Sequence, residues 1–206
     1  KKEVCPFVIY ADSEAFCEPF KAVTVGSGKE YQKSAHKSCS FALTLVSRKP
    51  DILPGRSMMF KGDNPAKSFL RGLMDMQGEI KIAMKNAGLK KGTSLPVYFH
   101  FGRGYDQHYL IPEIRSVWGS NARITGIAHT TEKMLNVRFG LYELRDSSSH
   151  ITMSLAKAVK AHKKSKCEFT NTRALVVSEL GIAGARADEV TELLSQKGVY
   201  PYDYMD

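Results

Sequence analysis

Long apolar runs and cysteines are both scarce in this chain of 206 residues. The longest apolar stretches, such as residues 41–46, fall far short of the ~20 residues that a membrane-spanning helix needs. Residues 1–6 lack the apolar run of a secretory signal. The cysteines form no Cys-x-x-Cys pair, which argues against a zinc ribbon or a disulfide framework; they are Cys5, Cys17, Cys39 and Cys167. We therefore expect an intracellular protein of a reducing compartment, the nucleus or the cytoplasm, with no membrane partner.

A deficit of acidic residues is the second compositional feature. The chain has 21 Asp and Glu against 30 Lys and Arg, which leaves a net charge of +9 and a pI near 9.3. Such a surplus favours a polyanionic partner, because cationic side chains bind phosphates and release counterions, yet it identifies no reaction. The length and the 43% hydrophobic content suit one globular domain, which we expect to cover residues 1–206.

Hydrophobic periodicity predicts a chain that begins with strands and then alternates helices with strands. Residues 26–38 have the composition of a loop, and residues 200–206 that of an irregular end. This order predicts an α/β domain around a mixed central sheet. The predicted strands are 6–12, 40–47, 57–61, 95–101, 123–128, 134–139 and 141–144, and the predicted helices are 65–88, 106–118, 152–162 and 188–195.

Two acidic residues end the first predicted strand. Residues i and i+2 of a strand point to the same face, so Asp12 and Glu14 are expected to project together from the sheet. Adjacent carboxylates repel each other, and a hard divalent cation, Mg²⁺ or Mn²⁺, relieves that repulsion. Asp106 follows another apolar strand and is the candidate for a third ligand, with helix capping as the alternative. An isolated Asp-x-Glu is also common among solvated turn residues.

The segments around these acids form ordered motifs along nearly the whole chain. Residues 7–15 read Phe-Val-Ile-Tyr-Ala-Asp-Ser-Glu-Ala, residues 95–106 contain Tyr-Phe-His and Arg-Gly-Tyr-Asp, and residues 197–202 read Lys-Gly-Val-Tyr-Pro-Tyr. In this order they resemble the exonuclease domain of the protein-primed family-B DNA polymerases of organelles, viruses and Maverick-type transposons. Further similar segments are 31–33, 60–62, 66–70, 131–133, 146–147 and 154–155.

The resemblance implies a ribonuclease-H-like (DnaQ-type) 3′–5′ exonuclease fold with a mixed central sheet. It also implies a metal-dependent nuclease that proofreads DNA replication at single-stranded 3′ ends. Asp12, Glu14 and Asp106 would be the catalytic residues and the ligands of Mg²⁺ or Mn²⁺. The implied partners are single-stranded DNA or a primer terminus and, if the chain is a fragment, the remainder of a polymerase. No polymerase active-site motif occurs within the 206 residues.

Residues beside the acids are candidates for nucleic-acid binding. Phe16, Phe101 and Tyr105 offer rings that could stack on terminal bases, with core packing as the alternative. Arg103 offers a guanidinium for phosphate. The lysines within residues 157–164 form a basic helix side, for which a solvated face and a DNA-facing surface are equally good interpretations.

The sequence departs from the family pattern at three places. Phe101 stands where the family has an asparagine after the histidine, and residues 87–94 replace a Cys/His-rich insert, so no zinc knuckle is expected. The third exonuclease motif normally lies beyond residues 201–205, which predicts a fold incomplete at its C-terminus. The spacing of Tyr202 and Asp206 is interpreted as coincidence. The alternative function is therefore a catalytically silent nucleic-acid-binding or interaction module derived from such a polymerase.

Several other polar residues fit structural roles better than chemical ones. Asp146, at a predicted strand end, is expected to cap a turn rather than to bind metal. His100, His108 and His150 match no common zinc spacing, so core or surface positions are expected for them.

Overall fold

The computed structural model describes residues 4–19, 23–25, 29–31, 34–128, 130 and 134–196. Within these residues the chain forms nine β-strands and five α-helices. The strands are β1 (Phe7–Pro19), β2 (Val23–Val25), β3 (Lys29–Tyr31), β4 (Ser34–Ser47), β5 (Arg56–Lys61), β6 (Leu95–Phe99), β7 (Ile124–Ala128), β8 (Met134–Phe139) and β9 (Tyr142–Asp146). The helices are α1 (Pro65–Asn86), α2 (Asp106–Trp118), α3 (Leu155–Lys164), α4 (Thr170–Leu180) and α5 (Gly184–Leu194).

Seven of the described strands form one mixed sheet in the order β5-β4-β1-β6-β9-β8-β7, and β2 pairs with β3 apart from it. β1 is parallel to β6, and β6 is parallel to β9, while the other neighbours are antiparallel. β6 and β9 therefore end at the same edge of the sheet, and β1 passes this edge near Asp12 before it continues; we call it the carboxyl edge of the three strands. The predicted α/β architecture with a mixed sheet is confirmed.

The sheet buries one face, which we call the covered face. Alternate side chains of each strand point to opposite faces, and the apolar ones on the covered face pack against α1 and α2. Asn64 accepts a hydrogen bond from the Lys67 N–H at 2.9 Å, and Pro65 occupies the first turn, so α1 begins where its sequence predicts. The core of this face includes Phe7, Ile9, Phe41, Leu43, Leu45, Phe69, Leu70, Leu73, Leu95, Val97, Phe99, Leu110 and Ile114.

β1 and β4 continue together past the end of β6 as a two-stranded ribbon. Their pairing runs from Phe7 opposite Ser47 to Pro19 opposite Ser34, and the register shifts between Glu14 and Ala15. Part of the segment predicted as the loop 26–38 is therefore strand, because pairing with β1 overrides its polar composition; residues 26–28 and 32–33 lie outside the described residues.

The C-terminal helices differ most from expectation. α4 was not predicted, because the apolar residues of 170–180 form no one-sided stripe. α3 is shifted by a few residues from the predicted 152–162, and its first residue, Leu155, is 57% exposed. Residues 131–133 and 197–206, which carry part of the resemblance and include Tyr202 and Asp206, lie outside the described residues. No helix in the described part of the chain is both long and apolar enough to cross a membrane.

Candidate active site at the carboxyl edge of the parallel strands

The carboxyl edge of β1, β6 and β9 gathers the acidic residues that the sequence singled out. Asp12 lies in β1, Asp146 is the last residue of β9, and Asp106 follows β6 after a short turn at Gly102–Gly104. In open α/β sheets, ligands bind in the crevice outside the carboxyl ends of the strands. The topology therefore makes this edge the candidate site.

Asp12 and Glu14 lie two residues apart on β1, on the face of the sheet opposite the covered face. Asp12 reaches solvent and Glu14 is half-buried, whereas Ser13 between them is buried. The protein atoms packed around the Asp12 carboxyl, followed by the negative charges of Asp106 and Glu14, raise the pKa of Asp12 to about 6. Asp106 therefore lies close enough to Asp12 to repel its negative charge.

Asp106 is buried, with 3% of its surface exposed, and it is tethered to β1. Its Oδ1 accepts a hydrogen bond from the Ser13 hydroxyl at 2.5 Å. Burial raises the pKa of Asp106, and this hydrogen bond opposes the rise. The cap position of α2 is Tyr105 rather than Asp106, and the Asp106 carboxyl bridges the helix to β1.

Asp146 organises the turn between β6 and α2. Its carboxylate accepts hydrogen bonds from the backbone N–H groups of Phe101 at 3.1 Å, Arg103 at 3.2 Å and Ser148 at 2.8 Å. The Arg103 guanidinium also lies 3.5 Å from Asp146 Oδ2. Burial disfavours the charge on Asp146, but the bonds from Ser148, Arg103 and Phe101 outweigh it and lower the pKa. The predicted capping role is confirmed, since Asp146 caps the turn at 147–149.

Phe101 is held at the surface in a backbone conformation that bulky residues rarely adopt. Its φ is +63°, a left-handed value that costs an L-residue roughly 1–2 kcal/mol. The ring is 48% exposed and meets the His100 ring edge-on at 4.6 Å between centroids. The alternative prediction that Phe101 packs in the core is therefore wrong. The next residue, Gly102, has no room for a side chain, because a Cβ there would lie 2.4 Å from the Phe99 Cβ.

The other predicted contact residues lie on either side of this turn. Phe16 is half-buried in the ribbon, and Tyr105 is half-buried beside α2. The Tyr105 hydroxyl lies 3.1 Å from His36 Nδ1, and Cys17 Sγ lies 3.5 Å from the same nitrogen. Sequence analysis missed His36, because it falls in the segment assigned to a loop; its only signal was its place opposite Cys17 once the two strands pair.

His100 has a structural role. Its Nδ1 lies 2.9 Å from the Ser147 hydroxyl, and its Nε2 lies 3.0 Å from the Met153 carbonyl oxygen. The ring thus joins the end of β6 to the segment after β9. His108 and His150 are exposed.

The donor set of the site has the chemistry that a hard divalent cation requires. Asp12, Glu14 and Asp106 offer carboxylate oxygens. The pKa values of Asp12 and Asp106 are raised, and a bound cation would lower them. In the arrangement described, no three His, Cys, Asp or Glu side chains of residues 4–19, 23–25, 29–31, 34–128, 130 and 134–196 are grouped to hold a metal ion. Asp106 Oδ1 accepts the hydrogen bond from Ser13, and a cation shared by all three carboxylates requires them to lie closer together than they do here.

Comparisons with protein-family models, curated proteins and solved structures found no match to this chain.

Proposed function

We propose that the carboxyl edge of β1, β6 and β9 is the active site of a metal-dependent 3′–5′ exonuclease that acts on single-stranded DNA ends. The observation that carries this proposal is the hydrogen bond from Ser13 to Asp106 at 2.5 Å, which brings Asp106 against β1 between Asp12 and Glu14 although it lies 94 positions beyond Asp12 in the chain. Clustered carboxylates with raised pKa values at a strand edge are expected where a cation binds, because without one their mutual repulsion is uncompensated.

Asp12, Glu14 and Asp106 would hold Mg²⁺ or Mn²⁺. When bound, such ions activate water and stabilise the leaving oxygen in phosphodiester cleavage. The chain's own residues act on the substrate. The exposed Phe101 ring is available to stack on a terminal base, and Arg103, anchored by Asp146, can present its remaining donors to a phosphate.

The same proposal extends to fold and origin. A seven-stranded mixed sheet with β1 between an antiparallel and a parallel neighbour is compatible with a ribonuclease-H-like fold. The motifs at 7–15, 95–106 and 197–202 support a relationship to the exonuclease domain of protein-primed family-B DNA polymerases. The net charge of +9 supports a nucleic-acid substrate.

The test is degradation of a 5′-labelled single-stranded oligonucleotide with Mg²⁺ or Mn²⁺ by the wild-type chain and by Asp12→Asn. A metal site contributes several kcal/mol to such a reaction, so we expect a loss of about 10³-fold or more. Asp75→Asn is the matched control, because Asp75 is exposed on α1. Circular dichroism and thermal melting check that both variants fold. Full activity in Asp12→Asn would refute the assignment.

A catalytically silent nucleic-acid-binding module is the second candidate. It is favoured by the spacing of the acids, because no three His, Cys, Asp or Glu side chains in the described part of the chain are placed to share a metal ion. A silent module would bind the oligonucleotide with a strong salt dependence and release no nucleotide with either metal. Ser13→Ala tests whether the hydrogen bond to Asp106 matters: an exonuclease variant still forms metal-dependent product, and a silent module forms none with or without this bond.

A further inference from the structure

A cavity of about 640 Å³ lies on the face of the sheet opposite the covered face. Its floor is made of outward-pointing residues of β1, β6, β8 and β9, and its rim includes Arg48, residues 92–94 and Asn171 of α4. It reaches towards the candidate site, because Tyr10 in its floor lies two residues before Asp12 on the same face of β1, about 7 Å along the strand.

A pair of tyrosines forms the part of this floor nearest the candidate carboxylates. Tyr10 and Tyr98 are paired across the parallel strands β1 and β6. Their rings are stacked, with centroids 6.1 Å apart and planes inclined by 26°. Tyr10 is 51% exposed although it occupies a central strand. Tyr98 is half-buried. Aromatic rings that reach solvent on a sheet face form a platform on which nucleobases stack.

Two arginines stand beside the tyrosines in a fixed arrangement. Arg138 Nη2 lies 2.6 Å from Glu143 Oε2, and Arg145 Nη2 lies 2.8 Å from Glu143 Oε1. The Glu143 side chain is 3% exposed, whereas those of Arg138 and Arg145 are 52% and 44% exposed. Burial disfavours the Glu143 charge, but hydrogen bonds from Arg138, Ser94 and Arg145 lower its pKa to about 2.

The charge of this cluster is unbalanced in favour of an anion. One carboxylate holds two guanidiniums, so one positive charge is left over, and Arg48 on the rim adds a second. Each guanidinium has five N–H donors and cannot lose its charge. Because Glu143 positions the arginines without neutralising both, they are preorganised to receive phosphate groups.

We propose that this cavity binds the single-stranded nucleic acid on the 5′ side of the terminus held at Asp12, with bases on Tyr10 and Tyr98 and phosphates on Arg48, Arg138 and Arg145. The adjacency of aromatic platform and guanidiniums selects a nucleotide chain, since it serves both bases and backbone. The direction of the strand rests on the proposed exonuclease function, whereas binding itself does not require cleavage.

The test is fluorescence anisotropy of labelled dT12 with the full chain in EDTA, where no metal-dependent cleavage occurs. Tyr10→Ala removes half of the aromatic platform, and we expect it to weaken binding about tenfold. Arg48→Gln removes one phosphate contact, and we expect the slope of log affinity against log salt to fall by about 0.7. Neither change touches Glu143, so the buried cluster remains intact in both variants.

Arg71→Gln is the matched control, because Arg71 is exposed on α1 and the substitution makes the same change in net charge. Wild-type affinity and salt slope in both Tyr10→Ala and Arg48→Gln would overturn the proposal. Equal affinity for dTMP and dT12 would also overturn it, since a strand must gain from several contacts. Cleavage with Mg²⁺ in Asp12→Asn tests the exonuclease site alone, whereas binding of dT12 in EDTA by the wild-type chain, Tyr10→Ala and Arg48→Gln tests the cavity alone, so either proposal can fail without the other.

Discussion

The two faces of the central sheet are built from alternate residues of the same strands, yet they have opposite characters. On the covered face, Phe7, Ile9 and Val97 are fully buried. On the other face, the intervening positions carry Tyr10, Asp12, Tyr98, Glu143, Arg138 and Arg145. This difference in burial means that the covered face supplies most of the stability of the fold, whereas the other face presents aromatic and charged side chains to solvent.

The largest effect is expected from truncation on the covered face. Phe41 is fully buried and contacts Phe69 with ring centroids 5.3 Å apart. Phe41→Ala leaves a cavity and should lower the free energy of unfolding by about 4 kcal/mol. Tyr10→Ala on the opposite face should cost about 1 kcal/mol, mainly through its contact with Tyr98. Urea denaturation of both variants measures the contrast, and equal losses would erase the distinction between the faces.

Glu143 is the exception on the open face, because it is buried there. Glu143→Gln leaves two arginines without their counter-charge and should lower the free energy of unfolding by about 3 kcal/mol, less than a fully buried pair because both arginines are half-exposed. With a folded pKa of about 2, Glu143 stabilises the fold above its unfolded pKa of about 4.3. This contribution is lost as the pH falls towards 2. The free energies of unfolding of wild type and Glu143→Gln should therefore converge between pH 5 and pH 2. A difference that stays constant over this range would contradict this account.

The third prediction concerns Asp146, which holds the turn at the carboxyl edge of the sheet, between the two faces. Asp146→Asn removes one of the two carboxylate oxygens that hold the backbone at Phe101, Arg103 and Ser148. Unpaired buried groups of this kind cost about 2 kcal/mol. We expect that loss in thermal unfolding, together with faster hydrogen exchange of the amides at 101 and 103. Unchanged exchange there would show that the turn does not depend on Asp146.

The smallest effect, of opposite sign, is expected at Asp12. Its folded pKa of about 6 lies above the ordinary value, so the folded protein binds this proton more tightly than the unfolded chain does. Wild-type stability therefore falls as the pH rises from about 4 to about 6. Asp12→Asn escapes this decline and should be more stable at pH 7 by at most about 1 kcal/mol, because the exposed charge is screened. Melting curves of both proteins at pH 4 and pH 7 in EDTA measure this difference in stability. A variant that is less stable than wild type at pH 7 would contradict the raised pKa of Asp12.

Sequence patterns predicted the covered face better than the open one. The apolar stripe of α1 and the alternation in β1 and β6 follow directly from burial, which has a period that sequence displays. The motif acids Asp12 and Glu14 could be predicted to share a face for the same reason. Pairing across strands has no such local period, so the stacking of Tyr10 on Tyr98 could not be foreseen.

The tether of Asp106 to Ser13 was also hidden from the sequence. It joins residues 93 positions apart, and nothing local to Ser13 distinguishes it from a solvated serine. Asp106 was predicted as a third ligand because it follows another apolar strand, and the family resemblance supported that assignment. The role of Phe16 and the metal preference stay predictions.

The ribbon of β1 and β4 gives the candidate site a side wall. Beyond the register shift at Glu14 and Ala15 it extends for about 16 Å, and no third strand among the described residues pairs with it there. An isolated pair of strands is only marginally stable. The orientation of this ribbon therefore depends on its contacts with the rest of the fold, one of which joins the Tyr105 hydroxyl to His36. The contact between Tyr105 and His36 therefore ties the ribbon to the residue that precedes α2, next to Asp106.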